Sequence, residues 1–147
     1  MDDEKKDRPQ IVLVSRSVVL RDDGRFLLIL RSKNDRHHPG LWECPGGKLE
    51  SGQDVAHAQE DEVVQETGLL VHLVDRLVYF DSFISSIGSY VGLPYIVLFG
   101  IAHYTTGSIK LSFEHDDYAW VTFGEALQHD LTPETRKALL ALEKRLV

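Results

Sequence analysis

Two carboxylate side chains, Glu62 and Glu66, stand one helical turn apart, with Gln65 beside them. Spacings of three and four residues place side chains on the same face of a helix, roughly 5–6 Å apart. Like charges at that distance repel each other, and Mg²⁺ removes the repulsion because it prefers oxygen ligands and shares its coordination with water and substrate phosphates. Before the helix, the Gly46-Gly47 pair lets the backbone come close to a ligand. The segment therefore indicates metal-assisted chemistry on a phosphate compound.

Such an ion would neutralise a diphosphate and orient the attacking water. A carboxylate beside it can serve as a general base, and cleavage would be a substitution at phosphorus that is stabilised mainly by electrostatics. Taken alone, acidic residues at helical spacing are also typical of an ordinary solvated helix face. That plain α/β reading would be excluded by a metal-dependent thermal stabilisation that is lost in Glu66→Ala.

Composition limits the classes of function. The chain has 147 residues, a net charge of −7 and a pI of about 5.4. An acidic surface disfavours sequence-independent binding to DNA or RNA, so no nucleic-acid partner is expected. Apolar runs are all shorter than the roughly 20 residues that a membrane span needs, and the charged start, 1–10, lacks a hydrophobic signal region. We expect a cytoplasmic protein with a flexible lead over 1–10 and a single domain over 11–147.

The single cysteine, Cys44, excludes a disulfide within the chain and leaves a cysteine zinc site unsupported. We expect it to be a small packed residue rather than a nucleophile, since free cysteine usually behaves as a small hydrophobe.

The elements that must position these residues follow from periodicity and turn signals. Asp54–Thr67 is predicted to be a helix, capped by Ser51 or a neighbour, with Asp54 in its first turn and Gly68 as a left-handed stop. A capping box at 122–125 and Thr132-Pro133 open two further helices. Strands are predicted over 11–20, 26–30, 69–83, 94–104, 109–113 and 118–121. The order predicts a mixed sheet with helices on both faces.

Together these residues resemble the Nudix family. Its pattern is Gly, five residues, Glu, seven residues, Arg-Glu, an aliphatic, any residue, Glu-Glu, any residue, Gly and an aliphatic. From Gly47 to Leu69 the register is kept over all 23 positions. The preceding 41–48 segment is similar to that of MutT-like members, and the likeness extends over nearly the whole chain. The resemblance implies an α/β fold, namely a Nudix-type α/β/α sandwich with a mixed central sheet.

The resemblance also assigns roles to site residues. It implies that Glu62 and Glu66 ligate Mg²⁺, or Mn²⁺ in its place, and that Glu62 is also the general base. Gln65 would offer a neutral carbonyl oxygen, and Glu114 would bring a further acidic ligand from a loop. Substrate phosphate would be bound by four residues, of which two belong to the glycine loop: Arg31, Gly46, Gly47 and Lys48. His37 and His38 are expected at the surface.

Three residues depart from the family pattern. Gln53 replaces a glutamate, Asp61 replaces the arginine, and Gln65 replaces the first glutamate of the Glu-Glu pair. Gln65 would hold Mg²⁺ more weakly than a carboxylate, and Asp61 cannot orient a neighbouring carboxylate as an arginine does. We hypothesise that Gln53 and Asp61 changed together, which the double reversion to Glu and Arg would test against each single reversion.

The resemblance implies a small nucleotide substrate in which a nucleoside diphosphate is linked to another group, and the MutT-like segment favours a nucleoside triphosphate. Aromatic residues that could stack on a base are Tyr79, Phe80, Phe83 and Tyr90, with Thr132 as a base-edge contact by analogy. The alternative is a Nudix-fold module that binds a nucleotide or a protein partner without turnover. Many members of the family form homodimers, and the sequence itself does not indicate the oligomeric state.

Overall fold

The computed structural model describes residues 10–146, with the side chains of the last two of these left aside. The lead expected over 1–10 therefore lies outside the described residues, apart from Gln10. Within this range, seven strands form one sheet and three helices pack against it. The strands are β1 (Val12–Leu20), β2 (Phe26–Arg31), β3 (Trp42–Glu43), β4 (Gly46–Lys48), β5 (Leu70–Ile84), β6 (Pro94–Thr106) and β7 (His115–Val121). The helices are α1 (Val55–Thr67), α2 (Phe123–Leu127) and α3 (Pro133–Leu146).

The sheet is mixed, as predicted. Its main order is β3-β2-β1-β6-β5, with β4 also paired to β1 and β7 to β2. Strands β1 and β6 run parallel, while β1–β2, β1–β4, β2–β7 and β5–β6 are antiparallel. The short β4 strand lies across the middle of β1, with Gly46 opposite Arg16 and Gly47 opposite Ser15. This pairing fixes the glycine loop against the centre of the sheet.

Alternate residues of the strands build two separate cores, one on each face. Val18 and Leu28 belong to a core that α3 covers through Leu139, whereas Val19 and Leu27 belong to the opposite core. Helix α1 covers that second core through Val63. The period-two pattern of buried apolar residues thus produces the expected sandwich with helices on both faces. None of the helices between residues 10 and 146 is long and apolar enough to cross a membrane.

Helix α1 ends as predicted and begins differently. Gly68 has φ 77° and its N–H donates to the Val64 carbonyl at 2.8 Å, which is the left-handed stop. Asp54 is the N-cap residue rather than a first-turn residue, and neither it nor Ser51 caps the helix through its side chain. Asp54 instead lies 3.0 Å from His57 Nδ1. At α2 the predicted capping box between Thr122 and Glu125 is confirmed.

Three strand predictions need correction. No strand forms over 109–113, because these residues bond to the end of α1: Lys110 N–H donates to the Thr67 carbonyl at 2.7 Å and Ser112 N–H to the Glu66 carbonyl at 3.2 Å. Helix carbonyls in the last turn need such partners. The last strand begins at His115 rather than at Tyr118, since its pairing with β2 extends to Arg31. The segment 41–47, where no strand was predicted, contains β3 and the start of β4.

Candidate active site

A cavity of about 290 Å³ opens beside the glycine loop. Strands β1 to β4, the loop after β2, the β5–β6 hairpin, the start of β7 and the first turn of α3 all contribute to its wall. Its lining residues are Val14, Arg16, Arg31, Asp35, His37, His38, Glu43, Gly46, Gly47, Lys48, Glu66, Phe83, Ser85, Ile87, Tyr90, Tyr95, Glu114, His115 and Glu134. The structure therefore brings six of the eight predicted site residues to one cavity, while Glu62 and Gln65 lie outside its lining.

The glycine loop touches both helix carboxylates. Gly46 N–H donates to Glu66 Oε2 at 3.2 Å. A Cβ atom at Gly47 would lie 2.7 Å from Glu62 Cδ, so the Glu62 carboxylate occupies the space that a side chain at residue 47 would need. Gln65 is solvent-exposed on the same helix. The structure thus places two of the three candidate ligands at the loop, and the third, which the spacing predicted on the same face, at the surface.

The surroundings of both glutamates disfavour their charged forms, so that the pKa of each is raised. Burial raises the pKa of Glu66 to about 8, although Arg16 and the Gly46 hydrogen bond act in the opposite direction. Glu62 is half-buried, and its pKa is raised first by that burial and then by the nearby charges of Glu114, Glu50 and Asp61. Asp61 therefore raises the pKa of Glu62, whereas an arginine at that position would lower it. An excess of negative charge in a partly dry place is an environment that a bound cation would stabilise.

Carboxylate oxygens are the ligands that Mg²⁺ prefers, so the chemistry of the donor set fits a divalent ion. In residues 10–146, no three His, Cys, Asp or Glu side chains stand together closely enough to enclose one. Glu114 is near enough to raise the pKa of Glu62, but it does not join Glu62 and Glu66 in such a group. Two carboxylates, completed by water and substrate phosphates, are nevertheless a common protein contribution to a Mg²⁺ site. The ligand roles stay predictions.

Behind the glycine loop lies a buried ionic network centred on Glu43, which is 2% exposed. Its carboxylate accepts from Arg31 Nη1 at 2.9 Å, lies 3.2 Å from Arg16 Nη2, and lies 3.1 Å from His115 Nε2. Burial alone would raise the pKa of Glu43, but Arg16, the His115 hydrogen bond and Arg31 outweigh it and hold that pKa at about 2. The network fixes the guanidinium groups of Arg16 and Arg31 at the cavity wall.

Arg31 and Lys48, which were predicted to bind phosphate, both line the cavity, and both already have polar partners within the protein. Arg31 also donates through Nε to the His37 carbonyl at 2.7 Å and pairs with Asp35 Oδ2 at 2.8 Å. Lys48 Nζ donates to the Tyr90 hydroxyl and lies 4.5 Å from the centre of the Tyr90 ring. To bind Arg31, an anionic ligand would have to compete with two carboxylates. To bind Lys48, it would compete only with the Tyr90 hydroxyl.

Several expectations about single residues change. His37 and His38 are half-buried in the cavity wall rather than at the surface, with the His37 ring packed on Gly88 and His38 in the left-handed region at φ 46°. Of the four candidate aromatics, Phe83 and Tyr90 line the cavity, Tyr79 packs on the core and Phe80 is exposed.

The structure also shows the surroundings of three further residues named in the sequence analysis. Thr132 is buried and donates to Thr135 Oγ1 at 2.8 Å, outside the cavity lining. Cys44 is the packed residue that was expected, and burial raises the pKa of its thiol to about 12. Gln53 accepts from the Glu50 N–H at 2.7 Å, and its proposed coupling to Asp61 stays a prediction.

Sequence reasoning missed four residues of this site: Arg16, Glu43, His115 as a buried group, and Glu134. Arg16 did carry a signal, because an arginine in the middle of the apolar segment 11–20 is unusual for a strand with two packed faces. Glu43 and Glu134 carried none, since the local sequence does not show which distant elements pack around them.

Substituting alanine for each glycine of the loop should have different effects, one on stability and the other on kcat. Gly46→Ala should destabilise the fold by roughly 1–3 kcal/mol, because its Cβ would lie 2.7 Å from Arg16 Cα and even closer to the Ser15 carbonyl oxygen, both backbone atoms. Gly47→Ala should fold, since it meets only the end of the Glu62 side chain, but displacing Glu62 should lower kcat by roughly 100-fold. Thermal denaturation and steady-state kinetics measure the two effects. Equal loss of stability in both variants would contradict the assignment.

The fold and the site define a class of enzyme: an α/β/α sandwich that presents paired glutamates from its first helix to a glycine loop beside a cavity lined by basic and acidic side chains. The family model for the NUDIX domain matches residues 12–142. The chain therefore belongs to the Nudix family, and it is a hydrolase that acts on the pyrophosphate bond of phosphorus-containing acid anhydrides.

Individual relatives agree with this assignment. The chain is 26% identical over 128 residues to the nucleoside triphosphatase NudI of Escherichia coli O139:H28, an alignment that covers 82% of this chain and 89% of the relative. The MutT protein from Methanosarcina mazei Go1 is similar in structure, with a TM-score of 0.79, 25% identity, and coverage of 95% of this chain and 96% of the other. A MutT NUDIX hydrolase from Burkholderia pseudomallei has a TM-score of 0.75 and 26% identity, covering 90% and 98% of the two chains. The protein is thus MutT-like.

Proposed function

We propose that this protein hydrolyses the pyrophosphate bond of a nucleoside diphosphate linked to another group, with a nucleoside triphosphate as the substrate, in a reaction that depends on Mg²⁺ or Mn²⁺. The observation that carries the proposal is the position of Glu62 and Glu66 against Gly46-Gly47. The name of the relative NudI, a nucleoside triphosphatase, supports the choice of substrate.

The carboxylates of α1 would bind the metal and supply the general base. Glu62 and Glu66 would hold the metal, with the Gln65 carbonyl oxygen and Glu114 as further oxygen donors. When bound, the ion would offset the charge of the phosphates and orient the attacking water. Glu62 would also accept a proton from that water as general base, a role that suits a carboxylate whose pKa is raised by burial and by neighbouring acids.

The cavity wall would bind the substrate. The Gly46-Gly47 backbone comes close to the helix carboxylates, so that phosphates bound beside this loop would lie near the metal that those carboxylates would hold. Lys48 would contact a phosphate after leaving the Tyr90 hydroxyl, and Arg31 would contact it while Glu43 keeps its guanidinium in place. Cationic side chains held in place act more strongly on a phosphate than free ones because less conformational entropy is lost.

A binding module without turnover is the second candidate, and three observations favour it. Arg31 is already paired with Glu43 and Asp35, while Gln65 is exposed and Asp61 adds a like charge beside Glu62. Each of these features would weaken the metal site or the phosphate site. Such a module would retain nucleotide binding in the cavity and lack hydrolysis.

A nucleotide panel separates the two candidates. The protein is incubated with nucleoside triphosphates, ADP-ribose, dinucleoside polyphosphates and nucleotide sugars in Mg²⁺ or Mn²⁺, and the release of phosphate-containing products is measured. We expect turnover of at least one nucleoside triphosphate at a rate within the usual range for enzymes, roughly 1–1,000 s⁻¹. Binding by calorimetry with no turnover across the panel would favour the module instead. The cytoplasmic location and a homodimer stay predictions.

A further inference from the structure

The sheet face that α1 covers carries, at its other end, an apolar surface that lies outside both cores. Strands β1, β6 and β5 are neighbours there, and their register pairs Leu13 with Ile96 and Leu98 with Phe80. Alternation along each strand puts these side chains on the same face as Val19, which belongs to the core under α1. We call this surface the open sheet face, and its apolar residues are Ile11, Leu13, Phe80, Ile84, Pro94, Ile96 and Leu98.

Helix α1 leaves this end of the sheet uncovered. A Cβ atom at Gly100 would lie 2.9 Å from Gln59 Nε2, so the helix crosses β6 at that glycine, and Leu98 comes next along the same face. Beyond the crossing, Phe80 is 60% exposed and Ile84 is 62% exposed. Leu13, Ile96 and Leu98 are only half-buried and belong to neither core cluster. A contiguous apolar surface of this kind is typical of an interaction site.

The charge of the surface limits what can cover it. Along these stretches of the three strands, the side chains on the open sheet face are uncharged, and its polar members are Ser15 and Ser82, paired with Leu98 and Ile96. The neighbouring charge on β5, Asp81, points to the opposite face, where it lies 3.4 Å from Lys137 of α3. A strongly basic or acidic partner would therefore find no ion pair here.

A second copy of the chain fits these conditions. In a twofold contact each surface meets an identical one, so an uncharged surface avoids the repulsion that a net charge of −7 creates between two copies elsewhere. The chain's own residues 1–9 lack the side chains for such a cover, because seven of them are charged and only Met1 and Pro9 are apolar.

The size of the open sheet face suits the core of a dimer contact. Three strands about 4.8 Å apart, each contributing about six residues at about 3.3 Å per residue, span roughly 300 Å². A standard interface buries roughly 800 Å² on each partner, with an apolar core inside a polar rim. Within residues 10–146 no strand pairs with the outer edge of β5, so the rim can extend over that edge.

We propose that the open sheet face is the contact surface of a homodimer, in which two copies pack these faces together around a twofold axis. The packing would resemble that of two sheets in a β-sandwich, about 10 Å apart. Phe80 and Ile84, the most exposed large side chains of the surface, would be covered by apolar residues of the other copy. Phe83 and Tyr95 line the catalytic cavity from the opposite face of the same hairpin, so both cavities would remain accessible.

Sedimentation velocity of the full chain at increasing protein concentration tests this dimer. We expect the wild type to shift from 16.7 kDa, the mass of one chain, to twice that mass in the micromolar range. Phe80→Glu and Ser82→Lys each bring two like charges into the twofold contact, and each should raise the dissociation constant by roughly 100-fold or more. The control is Leu140→Glu, which places a charge at an exposed apolar position of α3 on the opposite face and should leave the dimer intact.

Two results would overturn the proposal. A wild type that remains a monomer at every concentration would leave the face to residues 1–9 or to a different protein. A dimer that neither Phe80→Glu nor Ser82→Lys weakens would place the contact elsewhere. Ser82→Lys removes no apolar side chain, so its thermal denaturation at the lowest concentration should match that of the wild type, which separates loss of the contact from loss of the fold. Neither result bears on the proposed hydrolysis, which the nucleotide panel tests separately.

Discussion

Replacing Glu62 by glutamine is expected to lower kcat for nucleotide hydrolysis by roughly 100- to 10,000-fold while the protein stays folded. The substitution keeps the shape of the side chain that fills the space over Gly47, but it removes the negative charge. A neutral amide can neither accept the proton of the attacking water nor balance a divalent cation as a carboxylate does. The loss should fall on kcat rather than on KM, because the phosphate contacts proposed for Arg31 and Lys48 are untouched.

A neighbouring acid supplies the matched control. Asp61 is exposed and sits beside Glu62 on α1, so Asp61→Asn removes a negative charge from the same helix without touching the glycine loop. We expect Asp61→Asn to be at least as active as the wild type, because it removes a charge that raises the pKa of Glu62, with thermal denaturation confirming that both variants are folded. A Glu62→Gln protein as active as Asp61→Asn would remove Glu62 from the chemistry and would shift attention to Glu114 as the base.

The second large effect concerns stability. Glu43→Ala is expected to lower the free energy of unfolding by roughly 3–5 kcal/mol, since removing one partner of a buried ion pair leaves uncompensated charges in the interior. Arg16 and Arg31 would lose their carboxylate, and His115 would lose the partner of Nε2. Urea denaturation at neutral pH measures the loss.

An exposed ion pair sets the scale for comparison. Lys137 lies 3.4 Å from Asp81 and is largely solvent-exposed, so Lys137→Ala should change stability by no more than about 1 kcal/mol. Similar losses in Glu43→Ala and Lys137→Ala would mean that the Glu43 network is solvated in solution. Phosphate binding should weaken together with stability in Glu43→Ala, because Arg31 would keep Asp35 and the His37 carbonyl but lose the carboxylate that orients its Nη1.

The same carboxylate predicts a pH dependence. The folded-state pKa of Glu43 is about 2, below the ordinary value of 4.5, so its stabilisation is complete above the ordinary pKa and is lost as the pH falls through about 2. That shift corresponds to roughly 3 kcal/mol. Between pH 5 and pH 2 the wild-type protein should therefore lose about that much more stability than Glu43→Gln. Parallel stability curves for the two proteins would contradict the low pKa.

Local patterns in the sequence were sufficient for the helix carboxylates. Glu62, Glu66 and Gly68 lie on one continuous helix with its stop, and the glycine loop is only a short distance before it. These relations depend on helical geometry and on turn chemistry, which act over a few residues. The sheet with helices on both faces followed in the same way from alternating apolar residues, and the structure bears it out.

Local sequence patterns could not predict the contacts between segments that are distant along the chain. Glu43 meets Arg16 and His115 only because β3, β1 and β7 are brought together by the strand order, which no local signal specifies. The segment 109–113 has the composition of a strand, but its N–H groups are taken by the last carbonyls of α1. Glu134 looked like any first-turn acid, and its burial depends on how α3 lies over the cavity.

Phosphorus NMR of a nucleoside triphosphate incubated with the wild-type protein tests the central claim most directly, since it identifies the bond that is cut and the need for metal at once. In Mg²⁺ we expect the triphosphate signals to be replaced by those of a nucleoside monophosphate and pyrophosphate, and we expect a chelator to stop the reaction. Unchanged triphosphate spectra for every base in both Mg²⁺ and Mn²⁺, or the same products at the same rate in the presence of chelator, would contradict metal-dependent pyrophosphate hydrolysis by Glu62 and Glu66.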